Sequence, residues 1–164
     1  MNNLCRVVAR VLEYSVGGLF IVIAVTALAQ VFTRYVLGDS LTWTHELDIL
    51  LMIWAVWLGA AIGIHRKAHL KVGILSERFS KGTRNVLNVL MDVLILVFFA
   101  VLGGKGIAVI ESVEGTVLTS MDVPRGFVVS AAPVGAALMI FFSLPIMAED
   151  FRNLFMPSGK GQRP

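Results

Sequence analysis

The stretch from Trp43 to Leu70 decides the fold class of this chain. Its sequence is WTHE, then an apolar run over residues 47–64, then HRKAHL. The run is about 18 residues long, and a helix of that length at 1.5 Å per residue nearly covers a hydrocarbon core of roughly 30 Å. One flank carries an aromatic residue and a carboxylate, and the other carries a cationic cluster. We therefore interpret the stretch as a membrane-spanning helix whose cationic end faces the cytoplasm.

The composition of the whole chain supports a membrane protein. Hydrophobic residues make up 57% of the 164 residues, charged residues make up 15%, and the mean hydropathy is +0.81. Soluble domains carry about 25% charged residues. We therefore expect one transmembrane domain over residues 1–156 and a disordered, polar, cytoplasmic tail over 157–164. The net charge of +3 comes from cations at the edges of the apolar runs, so we predict no nucleic-acid partner.

Three further apolar runs are long enough to span a bilayer. The predicted spans cover residues 15–36, 46–64, 86–110 and 127–147, and the third is interrupted at Gly103 to Gly106. Of the 14 cations, all but Arg34, Lys105 and Arg125 lie before span one, between spans two and three, or after span four. Six acids group with those three cations on the other side. The positive-inside rule then places both termini in the cytoplasm, and the fold class is an all-α membrane protein with four transmembrane helices.

Two parts of this topology have alternatives. The segment Ala27-Leu28-Ala29 fits a signal-peptide cleavage site, but the apolar run continues to Val36, and cleavage would leave an odd number of spans. Residues 68–80 are too polar to span, yet their apolar residues recur at helical spacing. We predict a short amphipathic helix lying in the cytoplasmic interface against membrane lipids, with a plain connecting loop as the alternative.

Placing a charged side chain at membrane depth costs free energy. We therefore expect each such residue to pair with another group or to extend its charged end to the interface. Arg34 lies near the outer end of span one, and Glu46 and Asp48 lie near the outer start of span two. We expect Arg34 to pair with one of these carboxylates and clamp the two helices; the alternative is that it snorkels alone. Asp92 lies about two turns into span three, where we expect it to be protonated or bonded to a polar group on a neighbouring helix or partner subunit, rather than to form a proton or cation site.

Aromatic and small residues mark further packing positions in the spans. Trp43 fits the aromatic belt at the outer interface. Trp54 and Trp57 share one helical face, and Gly59 with Gly63 forms a GxxxG pattern that lets another helix approach closely. Two prolines in span four, Pro133 and Pro145, predict kinks or contacts with a partner.

No catalytic or cofactor-binding motif is found in the sequence. It lacks GxxxxGK[ST], GxSxG and HExxH. His65 and His69 have a spacing that suits two metal ligands on one helical face, but no third ligand accompanies them. Cys5 is the single cysteine, which excludes an internal disulfide. We therefore predict no enzyme activity, no cofactor and no metal site.

Several segments together resemble the small membrane subunit of tripartite ATP-independent periplasmic (TRAP) transporters, the DctQ-like family. They are Arg34–Gly38, Ser40–Leu47, Trp57–Ala61, Arg66–Val72, Thr119–Pro124 and Pro133–Gly135. The likeness covers nearly the whole chain, including the four spans and the internal cationic loop. The family usually has two acids after the tryptophan, and here His45 occupies the first of those positions and Glu46 the second.

The resemblance implies a three-part importer in the bacterial inner membrane. A periplasmic solute-binding protein captures a solute, often an organic acid, and a large membrane subunit moves it with sodium. The small subunit braces the large one and helps form the docking surface for the binding protein. The residues agree, because the spans carry too few polar groups to form a substrate site and show no inverted repeat of broken helices.

The resemblance gives the candidate residues three structural roles. Arg34, Trp43 and Glu46 would order the outer face, Trp54, Trp57, Gly59 and Gly63 would pack against helices, and Arg66, Lys67 and His69 would anchor the inner face. A different class of function stays open, namely a self-contained homo-oligomeric four-helix channel lined by Asn88, Asp92 and the glycines. A membrane enzyme is the third option and has no constellation to support it. Ion flux by the chain alone would favour the channel, and dependence on a second membrane subunit would favour the transporter.

Overall fold

The computed structural model describes residues 3–39, 41–66 and 81–155, with side chains at 86–152 of the last range. These residues form α1 (Asn3–Phe32), a π-helical segment (Thr33–Leu37), α2 (Thr42–His65), α3 (Lys81–Ser112), α4 (Arg125–Val129) and α5 (Ala131–Phe155). The predicted interfacial helix at 68–80, the candidate anchors Lys67 and His69, and the predicted tail at 157–164 lie outside the described residues.

Four of these helical stretches are long and apolar enough to cross a membrane. They are Asn3–Leu37, Thr42–His65, Val86–Ser112 and Arg125–Arg152. Each contains one of the predicted spans, so the all-helical class with four spans is confirmed. The first helix begins well before the predicted start at residue 15. Its early turns are amphipathic, and they are helical because Cys5 and Ala9 are buried against the other helices.

The long helices lie side by side in a row. The extensive contacts are between α1 and α2, between α2 and α5, and between α5 and α3. Trp57 contacts Gly135 and His65 contacts Phe142, so α2 and α5 run parallel to each other. The other two neighbouring pairs are antiparallel. Two helices are therefore central in the row, and α1 and α3 form its two edges.

The two ends of the row carry opposite charge patterns. A buried apolar cluster joins α1, α2 and α5 near one end, and its members are Cys5, Ala9, Ala61, Ile64, Met139, Phe142 and Ile146. That end also carries Arg6, Arg10, Arg66 and Arg152, and we call it the cationic end. The opposite, acidic end carries Asp39, Glu46, Glu111, Glu114 and Asp122. The described cations therefore divide between the ends as the sequence predicts, and the cytoplasmic position of the cationic end stays a prediction.

Two of the glycines that interrupt the apolar run of span three lie in the seam between α3 and α5. The helix α3 continues without interruption through the glycines at 103, 104 and 106. A Cβ atom on Gly106 would lie 2.9 Å from Pro133 Cδ, and one on Gly103 would lie 3.6 Å from Ala136 Cβ. Because an unbroken helix satisfies its own backbone groups in a membrane, these glycines serve close helix packing and not a break.

The two prolines of the last span have different positions in α5. Pro133 lies in the first turn, where its missing N–H removes no intrahelical hydrogen bond. The kinks or partner contacts that the sequence predicts at the two prolines stay a prediction. Pro145 lies inside the helix.

A stagger between the central helices creates a ledge at the acidic end. Trp57 lies level with Gly135, yet α2 begins at Thr42 whereas α5 begins at Ala131. At 1.5 Å per residue, α2 extends past the start of α5 by about 16 Å. The helix α4 and the preceding loop lie beside this exposed first part of α2, and the loop contacts it directly.

Candidate functional site

The first turns of α2 form one wall of the candidate site at the acidic end. The Thr44 side chain is buried, and its hydroxyl donates a hydrogen bond of 2.6 Å to the Leu41 carbonyl oxygen, which fixes the entry of the chain into the helix. The neighbouring Trp43 is 42% exposed. That exposure suits the belt position predicted for it, at the boundary between lipid and water.

The loop between α3 and α4 forms the opposite wall as a short hairpin over residues 116–125. Its two arms are joined by hydrogen bonds from Leu118 N to Val123 O (3.0 Å) and from Arg125 N to Thr116 O (2.9 Å). A third bond, from Val123 N to Met121 O at 2.7 Å, tightens the tip. Gly115 enters the hairpin with a φ of 78°, a left-handed conformation that favours glycine.

The Glu46 side chain joins these two walls. Its Oε1 atom accepts a hydrogen bond from the Thr119 N–H at 3.0 Å, and its Oε2 atom accepts one from the Ser120 N–H at 2.8 Å. Two successive N–H groups aimed at one carboxylate form an anion-binding turn, and bonds to a charged acceptor are stronger than neutral ones. We call this arrangement the Glu46 latch; it fixes the tip of the hairpin to α2.

The latch replaces the ion pair expected between Arg34 and a carboxylate of α2. Glu46 binds the hairpin, and Asp48 accepts a hydrogen bond from the Thr26 hydroxyl. Among the described residues, neither carboxylate forms an ion pair with Arg34, which lies exposed in the π-helical segment. The expected clamp was therefore wrong in its partners. One link between α1 and α2 is the Thr26–Asp48 bond, and Thr26 lies about two helical turns before Arg34 in α1.

This link was missed because a threonine carries no charge to signal its role. The Thr26 hydroxyl also lies 2.9 Å from Val22 O and 3.0 Å from Ile23 O, so it is held against its own helix while it faces Asp48. Both side chains are partly buried. Serine and threonine commonly bond across membrane helices in this way.

The central tryptophans both lie in seams with the last part of the chain. Trp54 Nε1 donates to Phe127 O at 3.2 Å, and the two rings lie 5.4 Å apart. Trp57 lies against Gly135, where an added Cβ would come within 2.9 Å of Trp57 Cβ and Cε3. In contrast, a Cβ on Gly59 would meet nothing within 4 Å. The first glycine of the GxxxG pattern, Gly59 to Gly63, is therefore not used for packing within the described chain.

The cationic end holds α1 to α2 through an ion pair. Arg66 donates from Nη2 to Glu13 Oε1 at 2.8 Å and from Nε to the same atom at 3.2 Å. His65 lies beside it, with its ring 5.0 Å from that of Phe142. The sequence placed Arg66 at this edge but gave it no partner. Glu13, an acid just before the first predicted span, was the available signal.

The polar residue predicted in span three lies in the seam with α5. Asp92 is 5% exposed. It precedes Gly103 by about three helical turns, so both residues are on the face of α3 that contacts α5. The structural role that we expect for Asp92 stays a prediction.

Comparison with known proteins identifies the family. The family model for the DctQ component of tripartite ATP-independent periplasmic transporters matches residues 23–153. This range includes three of the four predicted spans in full, the Glu46 latch and both tryptophan seams.

The chain belongs to the DctQ family.

Three named relatives place this DctQ component among transporter subunits. The sialic acid TRAP transporter small permease protein SiaQ of Vibrio cholerae is 25% identical over 70% of this chain. The C4-dicarboxylate TRAP transporter small permease protein DctQ of Rhodobacter capsulatus is 28% identical over 66% of it. The sialic acid TRAP transporter permease protein SiaT of Haemophilus influenzae is 24% identical over 86% of it. The matches cover 66%, 49% and 23% of those relatives, respectively.

The family settles the location and the broad class of this DctQ component. TRAP permease subunits are proteins of the bacterial inner membrane, and the four apolar helices agree with a multi-pass protein there. The family is a transport component and not a known enzyme family. Both the family and the location predicted from the sequence are confirmed.

Proposed function

We propose that this chain is a scaffold subunit that braces the large membrane subunit of a TRAP importer and does not itself carry the solute. The observation that carries this proposal is the row of helices with uncovered apolar edges. None of the most apolar window of α1 and only 6% of that of α3 is buried within the described chain. A row with two bare edges offers broad surface to a membrane partner and encloses no site between its helices.

The size of the SiaT relative supports a permanent membrane partner. The match with SiaT covers most of this chain but only 23% of SiaT. A sequence similar to this chain therefore occurs in one polypeptide with a much longer remainder. A separate large subunit would supply that remainder here.

The proposal also includes the class of solute and the coupling ion. We infer that the imported solute is an organic acid and that the large subunit couples its import to sodium. The named relatives support the solute class, because sialic acid and C4-dicarboxylates both carry carboxylates. This chain carries few buried polar side chains in the described spans, so the residues that recognise the solute would lie in the other subunits.

We assign the acidic end to the periplasm and the hairpin at 116–125 to the docking of the solute-binding protein. The charge distribution supports the first part, since it places both termini and the cationic end in the cytoplasm. The Glu46 latch supports the second part. It holds a polar loop in one conformation beyond the ends of α3 and α5, and a preorganised loop loses little entropy when it binds. Arg34 and Trp43 would border this surface.

The remaining sequence-based roles stay with the scaffold proposal. Arg66 and His69 would anchor the inner face against lipid headgroups, together with the interfacial helix expected over 68–80. Gly59 and Gly63 would admit a helix of the large subunit. The open space around Gly59 supports this role, because it leaves the close approach available to another chain.

The first test of the proposal is affinity purification of this chain from its native membrane in mild detergent, followed by mass spectrometry. A stoichiometric large polytopic subunit is the expected result, and solute uptake in vesicles should then require both chains and a sodium gradient. Recovery of a pure homo-oligomer that conducts ions in liposomes would contradict the proposal and favour the channel.

The hairpin needs a separate test, because the scaffold role does not depend on it. We would place a photo-crosslinker on a cysteine at Ser120→Cys and add the purified solute-binding protein. Ser112→Cys is the matched control, since it is exposed at the same end of the row but lies outside the hairpin. We expect crosslinking from position 120 that exceeds that from 112. Equal crosslinking from both positions would contradict the docking role.

A further inference from the structure

The first three turns of α1 carry a cationic groove on the side that faces away from the other helices. Cys5 and Ala9 are buried against the neighbouring helices, and Val7 and Val11 lie roughly opposite them around the helix and are exposed. The side chains on that outer side leave about 470 Å³ of open space between them, which we call the groove. Its lining residues are Asn3, Arg6, Val7, Arg10, Val11 and Tyr14.

The two arginines of this groove have no acidic partner in the described chain. Arg6 donates to the Asn3 side-chain oxygen at 2.7 Å, which is a neutral acceptor. The nearest acid along the helix is Glu13, and it is engaged by Arg66 of α2. Arg10 forms no ion pair among the described residues. The groove therefore has two positive charges one helical turn apart that are available to an anion.

The exposed side of α1 continues from the groove toward the middle of the membrane. Tyr14 is 77% exposed at its lower edge, just before the first predicted span at residue 15. One turn farther along, a Cβ added at Gly17 or Gly18 would meet nothing within 4 Å. Ile21 and Val25 then continue the exposed apolar side. This side of α1 therefore has cationic groups at headgroup depth, then a notch without side chains at Gly17 and Gly18, and then exposed apolar residues. A phospholipid has the same order of charged headgroup and apolar acyl chains.

We propose that this groove is a binding site for an anionic phospholipid of the membrane. Arg6 and Arg10 would bind the phosphate of the headgroup, and the Tyr14 hydroxyl would lie beside its glycerol. One acyl chain would lie over Gly17 and Gly18, where the helix backbone is accessible. Anionic lipids attract clustered arginines at the cytoplasmic surface, where the positive-inside rule places these residues. Every group in this site belongs to this chain, so its test does not require the large subunit, although both proposals use the exposed side of α1.

The test is native mass spectrometry of the chain, purified with whatever subunits accompany it, during titration with phosphatidylglycerol or phosphatidylcholine. We expect preferential retention of phosphatidylglycerol, lowered about fivefold by Arg10→Gln and further by Arg6→Gln combined with it. Arg152→Gln is the matched control, since it removes an exposed arginine at the same end of the row but on α5. Gly18→Leu should also weaken retention, although it changes no charge, because it fills the notch.

Several results would overturn the site. They are equal retention of both lipids, unchanged retention in the Arg10→Gln variant, unchanged retention in Gly18→Leu, or an equal loss in Arg152→Gln, which would mean general surface attraction. Displacement of the lipid by inorganic phosphate at millimolar concentration would identify a soluble-anion site instead. The readout is lipid binding, so a negative result in this test does not contradict the scaffold proposal. Equally, the lipid result can be interpreted even if the large subunit is lost during purification.

Discussion

The two central helices and the two edge helices are all apolar enough to span a membrane but differ in burial. In the most apolar 18-residue window, 28% of α2 and 33% of α5 is buried, whereas the values are 6% for α3 and 0% for α1. Hydropathy therefore identifies which segments enter the membrane but not which of them meet each other. In this chain the seams are made by small residues and aromatic rings, and the edges are left to lipid or to other subunits.

The comparison predicts that the same substitution destabilises a central helix and has little effect in an edge helix. Gly135→Val should be the most damaging change, because even its Cβ would come within 2.9 Å of Trp57. Overpacking of this kind costs about 1–3 kcal/mol and sometimes more. Thermal unfolding in detergent, followed by size-exclusion chromatography, would measure the loss of folded protein.

Gly104→Val in α3 is the matched control for that change. It introduces the same side chain into another helix, but at a position where a Cβ meets nothing within 4 Å. We expect its melting temperature to stay close to that of the unchanged chain. Equal destabilisation by both variants would show that the central and edge helices do not differ in the way the burial indicates.

The second prediction concerns the contact that fixes the hairpin to the first part of α2. Glu46→Gln keeps the size of the side chain but turns one acceptor into an amide donor that faces an N–H. We expect a loss of roughly 2 kcal/mol in local stability, since hydrogen bonds to charged groups are worth about 1.5–3 kcal/mol. Hydrogen exchange should be faster at the Thr119 and Ser120 amides and unchanged in the α2–α5 seam.

Glu111→Gln provides the control for charge alone. Glu111 is exposed at the same end of the row and makes no contact with the hairpin tip in the hydrogen bonds of the described chain. Its loss should leave the Thr119 and Ser120 amides protected. Equally fast exchange of these amides in both variants would show that the overall negative charge of the acidic end holds the hairpin. The hydrogen bonds of the Glu46 latch would then not be what holds it.

The latch also shows which features of this chain can be predicted from the sequence alone and which cannot. The four spans and the division of charge follow from hydropathy and from the positions of lysine and arginine, because both act on single segments. The partner of Glu46 does not follow, because its donors are backbone N–H groups 73 and 74 residues away, and every residue type carries such a group. Arg34 was the nearest cation along the sequence, and proximity in sequence was a poor guide to proximity in space.

The glycines of span three are a second feature whose role the sequence alone does not determine. Gly103 and Gly106 interrupt the apolar run, and glycine has a low helix propensity in water. In a membrane an unbroken helix satisfies its backbone internally, and the missing side chains instead admit Pro133 and Ala136. Which role a glycine has depends on the neighbouring helix, and the sequence of one helix does not contain that neighbour.

The third prediction addresses the seam between a central helix and an edge helix. Thr26→Val removes the hydroxyl that donates to Asp48 and preserves the shape of the side chain. Interhelical hydrogen bonds in membranes average about 0.6 kcal/mol and reach about 1.7 kcal/mol. We therefore expect a smaller loss of stability than for Gly135→Val. The substitution should also let α1 separate from α2 more easily. This separation would be measured as a decrease in crosslinking between cysteines placed along the two helices.

Asp48→Asn tests the same bond from the other partner. Asparagine retains an oxygen acceptor, so it should preserve most of the α1–α2 contact, and the double variant should be no worse than Thr26→Val alone. Independent, additive losses from the two substitutions would show that the two side chains contribute through other contacts and not through their shared bond.

The smallest effect is expected at the ion pair of the cationic end. Glu13 and Arg66 join the same two helices as Thr26 and Asp48, but their side chains are 38% and 64% exposed. Exposed ion pairs contribute about 0.2–1 kcal/mol and are screened by salt. A double-mutant cycle with Glu13→Gln and Arg66→Gln should therefore give a coupling energy below about 1 kcal/mol that shrinks at high salt. A coupling larger than that of Thr26 with Asp48 and insensitive to salt would mean that the cationic end is shielded from water in the assembled protein. The attachment of the edge helix α1 would then depend more on this end than on the middle of the membrane.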